Sequence, residues 1–194
     1  MGILKKALSD YLTFALKDFE LDKSSRAYSF MEGLILDDSL IINFNYTDVF
    51  HRYMEDKSAR NSDKRVQFIH GNHEDNNIII GVEDGTEMVD RHEFLLKSTH
   101  VNYTGFNLNR LLHGVKKLTV FGHSLGESDE MYFTDFFNHY SGDKEFPYFK
   151  FDLYYYDEDS YDSLMSRINV LTNQQVSKFR QNLNFTAISS FNES

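Results

Sequence analysis

Short apolar runs end at turn-forming polar residues and alternate with stretches of helical periodicity. This alternation constrains the fold more than any other feature. Leu40-Ile41-Ile42-Asn43-Phe44 runs into NYT, Val66-Gln67-Phe68-Ile69 into His70-Gly71, and Lys117 to Phe121 (KLTVF) into GHSLGESD. Each run is of strand length. Asn77 to Gly81 (NIIIG) reads as a further short strand bounded by turn residues. Tyr148 to Tyr156 alternates Phe149, Phe151, Leu153 and Tyr155 with Lys150 and Asp152, which predicts a strand with one wetter face near a sheet edge.

Between these runs the period changes to that of a helix. Leu4, Leu8, Tyr11, Leu12, Ala15, Leu16 and Phe19 share one face of a helix over 4–19, expected to pack on something. Helices are also predicted over 48–56, 107–115, 130–140 and 161–171, with a polar loop at 57–64. The 130–140 helix carries Tyr132, Phe133, Phe136, Phe137 and Tyr140. Strands alternating with helices predict an α/β domain with a mainly parallel sheet. In such sheets ligands bind outside the carboxyl ends of the strands. The ends NFNYT, IHGN and FGHSLGESD are expected on one rim. The reading is one domain over 1–185, with 186–194 as a frayed tail.

Composition excludes several classes. The 194 residues suffice for a domain with a real core. The formal charge of −10 is the reverse of a nucleic-acid binder's. The chain has no cysteine, which excludes disulfides and Cys-based zinc sites and suits the cytoplasm. No apolar run approaches the roughly 18 residues that span a bilayer.

GHSLG fits G-x-S-x-G, the nucleophile elbow of α/β-hydrolases. That fold orders its triad Ser, then acid, then His. After Ser124 the only histidine is His139, and Asp152 and Asp157 follow it, so the order fails. A tight glycine turn with a helix-capping Ser124 is the simpler reading.

GNHED, Gly71 to Asp75, resembles one box of the metallophosphoesterases, in which His73, with His70 nearby, would ligate a cation. That family also needs an early D-x-H and a later G-H-x-H. Here the only D-x-H is Asp90-Arg91-His92, after the box, and the later segment is G-H-S-L. The set is broken and out of order, so no metal is expected, and His73 reads as a solvated loop histidine.

Taken together, the strand ends support a third reading. Asn43-Phe44-Asn45-Tyr46-Thr47, Ile69-His70-Gly71 and Gly122-His123-Ser124 with Asp129 resemble the sirtuin-like domains. They resemble most closely the AbiH family of bacteriophage abortive-infection proteins, whose segments read F-N-Y-T, I-H-G and F-G-H-S-L-G-x-x-D. The resemblance covers roughly residues 35–160. It implies a three-layer, Rossmann-like fold, mainly parallel and sirtuin-like. It also implies a bacterial anti-phage protein whose pocket binds or hydrolyses NAD or a related nucleotide.

Carried over by position, Asn45 and His70 would be catalytic. Asn43, Thr47, Gly71, Gly122, His123, Ser124 and Asp129 would contact the nucleotide. Cleavage of the N-glycosidic bond passes through an oxocarbenium-like transition state. An Asn amide can orient a water or ribose hydroxyl, and a His can take the hydroxyl's proton. Asp129 could accept from a ribose hydroxyl or cap the helix that follows it.

The family pattern also implies a glycine-rich phosphate loop after a first strand. Nothing before Asn43 fits it. The chain is therefore expected to be a C-terminal portion with an incomplete sheet, working as a homo-oligomer or with a complementing chain. A non-catalytic interaction module using the aromatic helix is the alternative, and a serine hydrolase the third. The phage trigger is not legible.

Overall fold

The computed structural model describes residues 2–20, 22–36, 39–50, 53, 66–81, 96–100, 108–112 and 114–191. The chain divides into two compact units, Met1–Gly105 and Phe106–Ser194. Among the described residues, helices combine with parallel strands in two small sheets, of two and three strands, and neither closes into a barrel. This is an α/β fold, as the alternation predicts.

In the first unit, α1 spans Gly2–Ala15 and buries no residue. Ile3, Leu4, Tyr11 and Phe14 are all exposed. On the predicted face Leu8, Leu12 and Leu16 are half-buried, and the Ser9 hydroxyl donates to the His73 carbonyl at 3.0 Å, so among the described residues the helix is covered only in part, and it stops short of Phe19. A helix not read from the sequence, α2, spans Arg26–Leu36. Ser25 caps it, its hydroxyl accepting from the Tyr28 N–H at 3.1 Å. Tyr28 and Met31 form a small core with Tyr53, against which Phe50 packs. The Tyr28 and Tyr53 rings meet edge to face at 5.1 Å.

Strands β1 (Ile41–Asn43) and β2 (Val66–Phe68) pair in parallel, with Ile41 opposite Val66 and Asn43 opposite Phe68. Residues 49, 50 and 53 are helical, as expected of 48–56, whereas the 57–64 loop lies outside the described residues. NIIIG is not a strand. The Ile79 N–H donates to the His70 carbonyl at 2.8 Å and the Ile79 carbonyl accepts from the Tyr46 hydroxyl at 3.1 Å, without a ladder among the described residues. Ile78 and Ile79 are nonetheless buried. The run is apolar because it is covered, and a short covered segment reads the same with or without ladder partners.

The second unit opens with α3, Leu108–Leu112. It ends earlier than predicted, before Gly114 at φ +91°. Strand β3 is Lys117–Val120, α4 is Glu130–Tyr140 and β4 is Phe146–Tyr155. Helix α5 is Glu158–Leu171, α6 is Val176–Asn182 and β5 is Leu183–Ser189. All strands are parallel, in the order β3-β4-β5.

Two expectations fail here. β4 is the central strand, not an edge strand. Alternation reports how each face is covered and carries no information about ladder position: Lys150 is exposed between buried Phe149 and Phe151 while both edges of the strand are paired. The register shift between Phe146 and Lys150 surrounds Pro147, which has no N–H to give the ladder. The supposed frayed tail carries the greater part of β5, and the unpredicted α6 precedes it. Phe179 on α6 is completely buried and meets Phe151 edge to face at 5.3 Å. Phe136 and Phe137 of α4 complete this aromatic core, so these aromatic side chains pack within their own unit.

Candidate functional site

Parallel pairing brings NFNYT and IHGN to one rim of the first unit. Asn43 lies opposite Phe68, and the Ile69 N–H donates to the Asn43 carbonyl at 2.9 Å. Asn45 and His70 each stand two residues beyond that last pair. The expected rim is thus realised for these two segments. The third, GHSLG, follows β3 in the other sheet.

Asn43 builds the first turn. Its side-chain oxygen accepts from the Asn45 N–H, and its amide donates to the Thr47 carbonyl, both at 2.8 Å. This is an Asx turn closed at both ends. It leaves Asn45 exposed at the tip. His70 is buried, its ring 5.8 Å from Phe44 and 6.4 Å from Tyr46.

Gly71 is required by the loop itself. It holds φ +70°, and a Cβ there would lie 2.4 Å from the Asn77 carbonyl oxygen. The following residues knit together. The Asn72 N–H donates to Asn77 Oδ1, Asn72 Nδ2 donates to Asp75 Oδ2, and the Asp75 N–H donates to Asn72 Oδ1, each at 2.7 Å. Asn72 and Asn77 carry this loop and were not singled out from the sequence, although the run of Asn and Asp from 72 to 77 is a turn signal.

His73 is buried, not the solvated loop residue expected. Its backbone N–H and its ring Nδ1 both reach the Tyr46 carbonyl at 3.0 Å. A carbonyl only accepts, so Nδ1 carries the proton and the lone pair of the neutral ring sits on Nε2. Asp48, His73 and Glu74 each offer one ligand atom, and these lie within 4.8 Å of one another.

GHSLG is a strained turn with its own clamp. Gly122 holds φ +62° and Leu125, fully buried, φ +52°. The Leu125 N–H donates to His123 Nδ1 at 2.9 Å, which leaves the ring proton on Nε2, 3.5 Å from Asp129 Oδ2. Arg167 Nε donates to the Leu125 carbonyl at 3.0 Å, and its Nη2 to Glu130 Oε2 at 2.9 Å. Arg167 had no sequence signal, since a lone Arg on an amphipathic helix reads as solvated. Asp129 makes no side-chain capping bond to α4, and Gly126, not Ser124, stands at the N-cap of the single 3-10 turn Glu127–Asp129. Both capping readings are thereby replaced. Ser124 is exposed, and the adjacent His123 has spent its Nδ1 lone pair on the backbone, so it cannot serve Ser124 as a base.

No helix among the described residues is long and apolar enough to cross a membrane. No curated protein and no solved structure matches the chain. A family model does: that described as Bacteriophage abortive infection AbiH matches residues 1–151, which takes in both polar turns of the first unit and the GHSLG turn of the second. The chain belongs to the AbiH family of bacteriophage abortive-infection proteins.

Proposed function

We propose that the protein acts in phage defence by binding NAD or a related nucleotide at the β1–β2 rim and cleaving its N-glycosidic bond. The observation that carries this reading is the equal offset of Asn45 and His70 beyond the Asn43–Phe68 pair, at the carboxyl ends of parallel strands. That is where α/β sheets bind ligands. Asn45 orients the attacking water or a ribose hydroxyl, and His70 takes the hydroxyl's proton as positive charge develops on the sugar. Asn43, Thr47 and Gly71 hold the two turns. In the second unit the exposed Ser124 hydroxyl, with Gly122 beside it, is suited to a phosphate or ribose contact. His123 and Asp129 fix that turn. The sirtuin-like character of the domain is part of the same proposal.

Incubation with NAD and measurement of nicotinamide release tests this. Release by the wild type should be lost in Asn45→Ala and in His70→Ala. A wild type that releases none, or variants that release as much, removes the catalytic assignment.

A second reading follows from α1. Its exposed Ile3, Leu4, Tyr11 and Phe14 suit an interaction face better than the buried aromatics of α4 do. In this reading the protein works as a homo-oligomer or with another chain. Light scattering that finds a stable monomer at all concentrations retires the homo-oligomer.

A further inference from the structure

We propose that Asp48, His73 and Glu74 form a single-ion site for a divalent transition metal, Mn²⁺ or Zn²⁺. The donors come from the two rim segments: Asp48 directly after NFNYT, His73 and Glu74 from the IHGNHE turn. Their ligand atoms lie within 4.8 Å of one another. Asp48 is 3% exposed and His73 4%.

The ring of His73 is the independent observation. Its Nδ1–H is held by the Tyr46 carbonyl at 3.0 Å. Metal-binding histidines characteristically donate the far ring nitrogen to a carbonyl or carboxylate, which fixes the tautomer and orients the ligating lone pair. Among the described residues no hydrogen bond ends at His73 Nε2, on a side chain almost wholly buried. With Nδ1 committed to that carbonyl, Nε2 is the ring nitrogen left with a lone pair to offer a cation.

Charge supports the same occupant. Two carboxylates and one imidazole make an anionic donor set, which a dication suits. One imidazole nitrogen with two carboxylate oxygens selects a borderline ion rather than an all-oxygen ion such as Ca²⁺. Donors about 2.1 Å from a common ion stand roughly 3–4 Å apart, and Glu74, being exposed, can close the remaining distance by a side-chain rotation. Three protein ligands leave open positions for water or a ligand oxygen.

This site differs from the metallophosphoesterase arrangement, because His70 is not in it and it holds one ion. It joins the two segments that carry Asn45 and His70, so a bound ion fixes the NFNYT turn against the GNHED loop.

The test uses the full chain, stripped with chelator and without nucleotide, so its outcome is independent of NAD cleavage. Mn²⁺ binding is followed by electron paramagnetic resonance and Zn²⁺ binding by calorimetry, with Ca²⁺ as the control. The expected result is one tight Mn²⁺ or Zn²⁺ per chain and a rise in Tm. Binding should weaken at least tenfold in Glu74→Gln and in Asp48→Asn. Glu74→Gln lies at an exposed position and should keep the apo circular dichroism spectrum and Tm, so its loss of binding does not depend on misfolding. Absence of stoichiometric binding, Ca²⁺ bound equally well, or affinity unchanged in Glu74→Gln overturns the site.

Discussion

His73 grips the carbonyl of Tyr46 twice, through its backbone N–H and through ring Nδ1, each at 3.0 Å. The two residues belong to the turns after β1 and β2, so this pair of hydrogen bonds ties the two strand ends together beyond their ladder. Tyr46 reciprocates across the same loop, its hydroxyl donating to the Ile79 carbonyl at 3.1 Å. A three-residue parallel pair would be marginal alone. The turns brace it.

The two asparagines of NFNYT should separate cleanly. Asn43→Ala removes both bonds of the Asx turn and should cost about 1–2 kcal/mol. Asn45→Ala alters an exposed tip and should stay within about 0.5 kcal/mol while abolishing nicotinamide release. Chemical denaturation and the release assay, run on both variants, check the pair.

Gly71→Ala should destabilise the first unit by at least about 1 kcal/mol, because a Cβ is disfavoured at positive φ. The added methyl also meets the Asn77 carbonyl at 2.4 Å. Gly122→Ala shares the positive φ but meets nothing within 4 Å, so it should cost less. Thermal melts of the two variants compare strain with and without a clash.

Arg167 should matter to the GHSLG turn through geometry as well as charge. Arg167→Met leaves the Leu125 carbonyl without its donor and Glu130 without its partner, at a cost of about 1–3 kcal/mol. Arg167→Lys should recover less than half, since one ammonium cannot reproduce the guanidinium fork. Urea unfolding of the three proteins gives the comparison.

Phe136→Ala should lose about 3–5 kcal/mol, because the ring is fully buried among Phe137, Phe149, Phe151 and Phe179. Loss of near-ultraviolet circular dichroism at a lower denaturant concentration is the expected signal.

The start of α5 should be pH-sensitive only in acid. Hydrogen bonds from the Ser160 N–H and hydroxyl hold the Asp157 carboxyl below its ordinary value of 3.8. A carboxyl depressed in the folded state stabilises fully above the unfolded value and loses that contribution as pH falls through the folded one. Asp157→Ala should therefore melt below wild type at neutral pH, with the gap narrowing once pH drops below 3.8. Melts from pH 7 to 2 measure it.

The sequence by itself determined the α/β class, the helix over Glu130–Tyr140, the β1, β2 and β3 strands and the family. These are local facts: periodicity, strand length and turn residues lie within a few positions of each other. It could not say that β4 is central, because alternation reports faces and the ladder is made by residues far along the chain. It missed β5, since a short run after a helix resembles a tail until β4 offers it hydrogen bonds. It read His73 as solvated and Asp129 as a possible cap. Burial of His73 depends on the Tyr46 carbonyl, and the place of Asp129 depends on the His123 ring. The motifs were legible as residue types at strand ends. Which of those residues brace the backbone and which remain open to a ligand only the tertiary structure decided, because each polar side chain takes the partner that folding brings within hydrogen-bond reach.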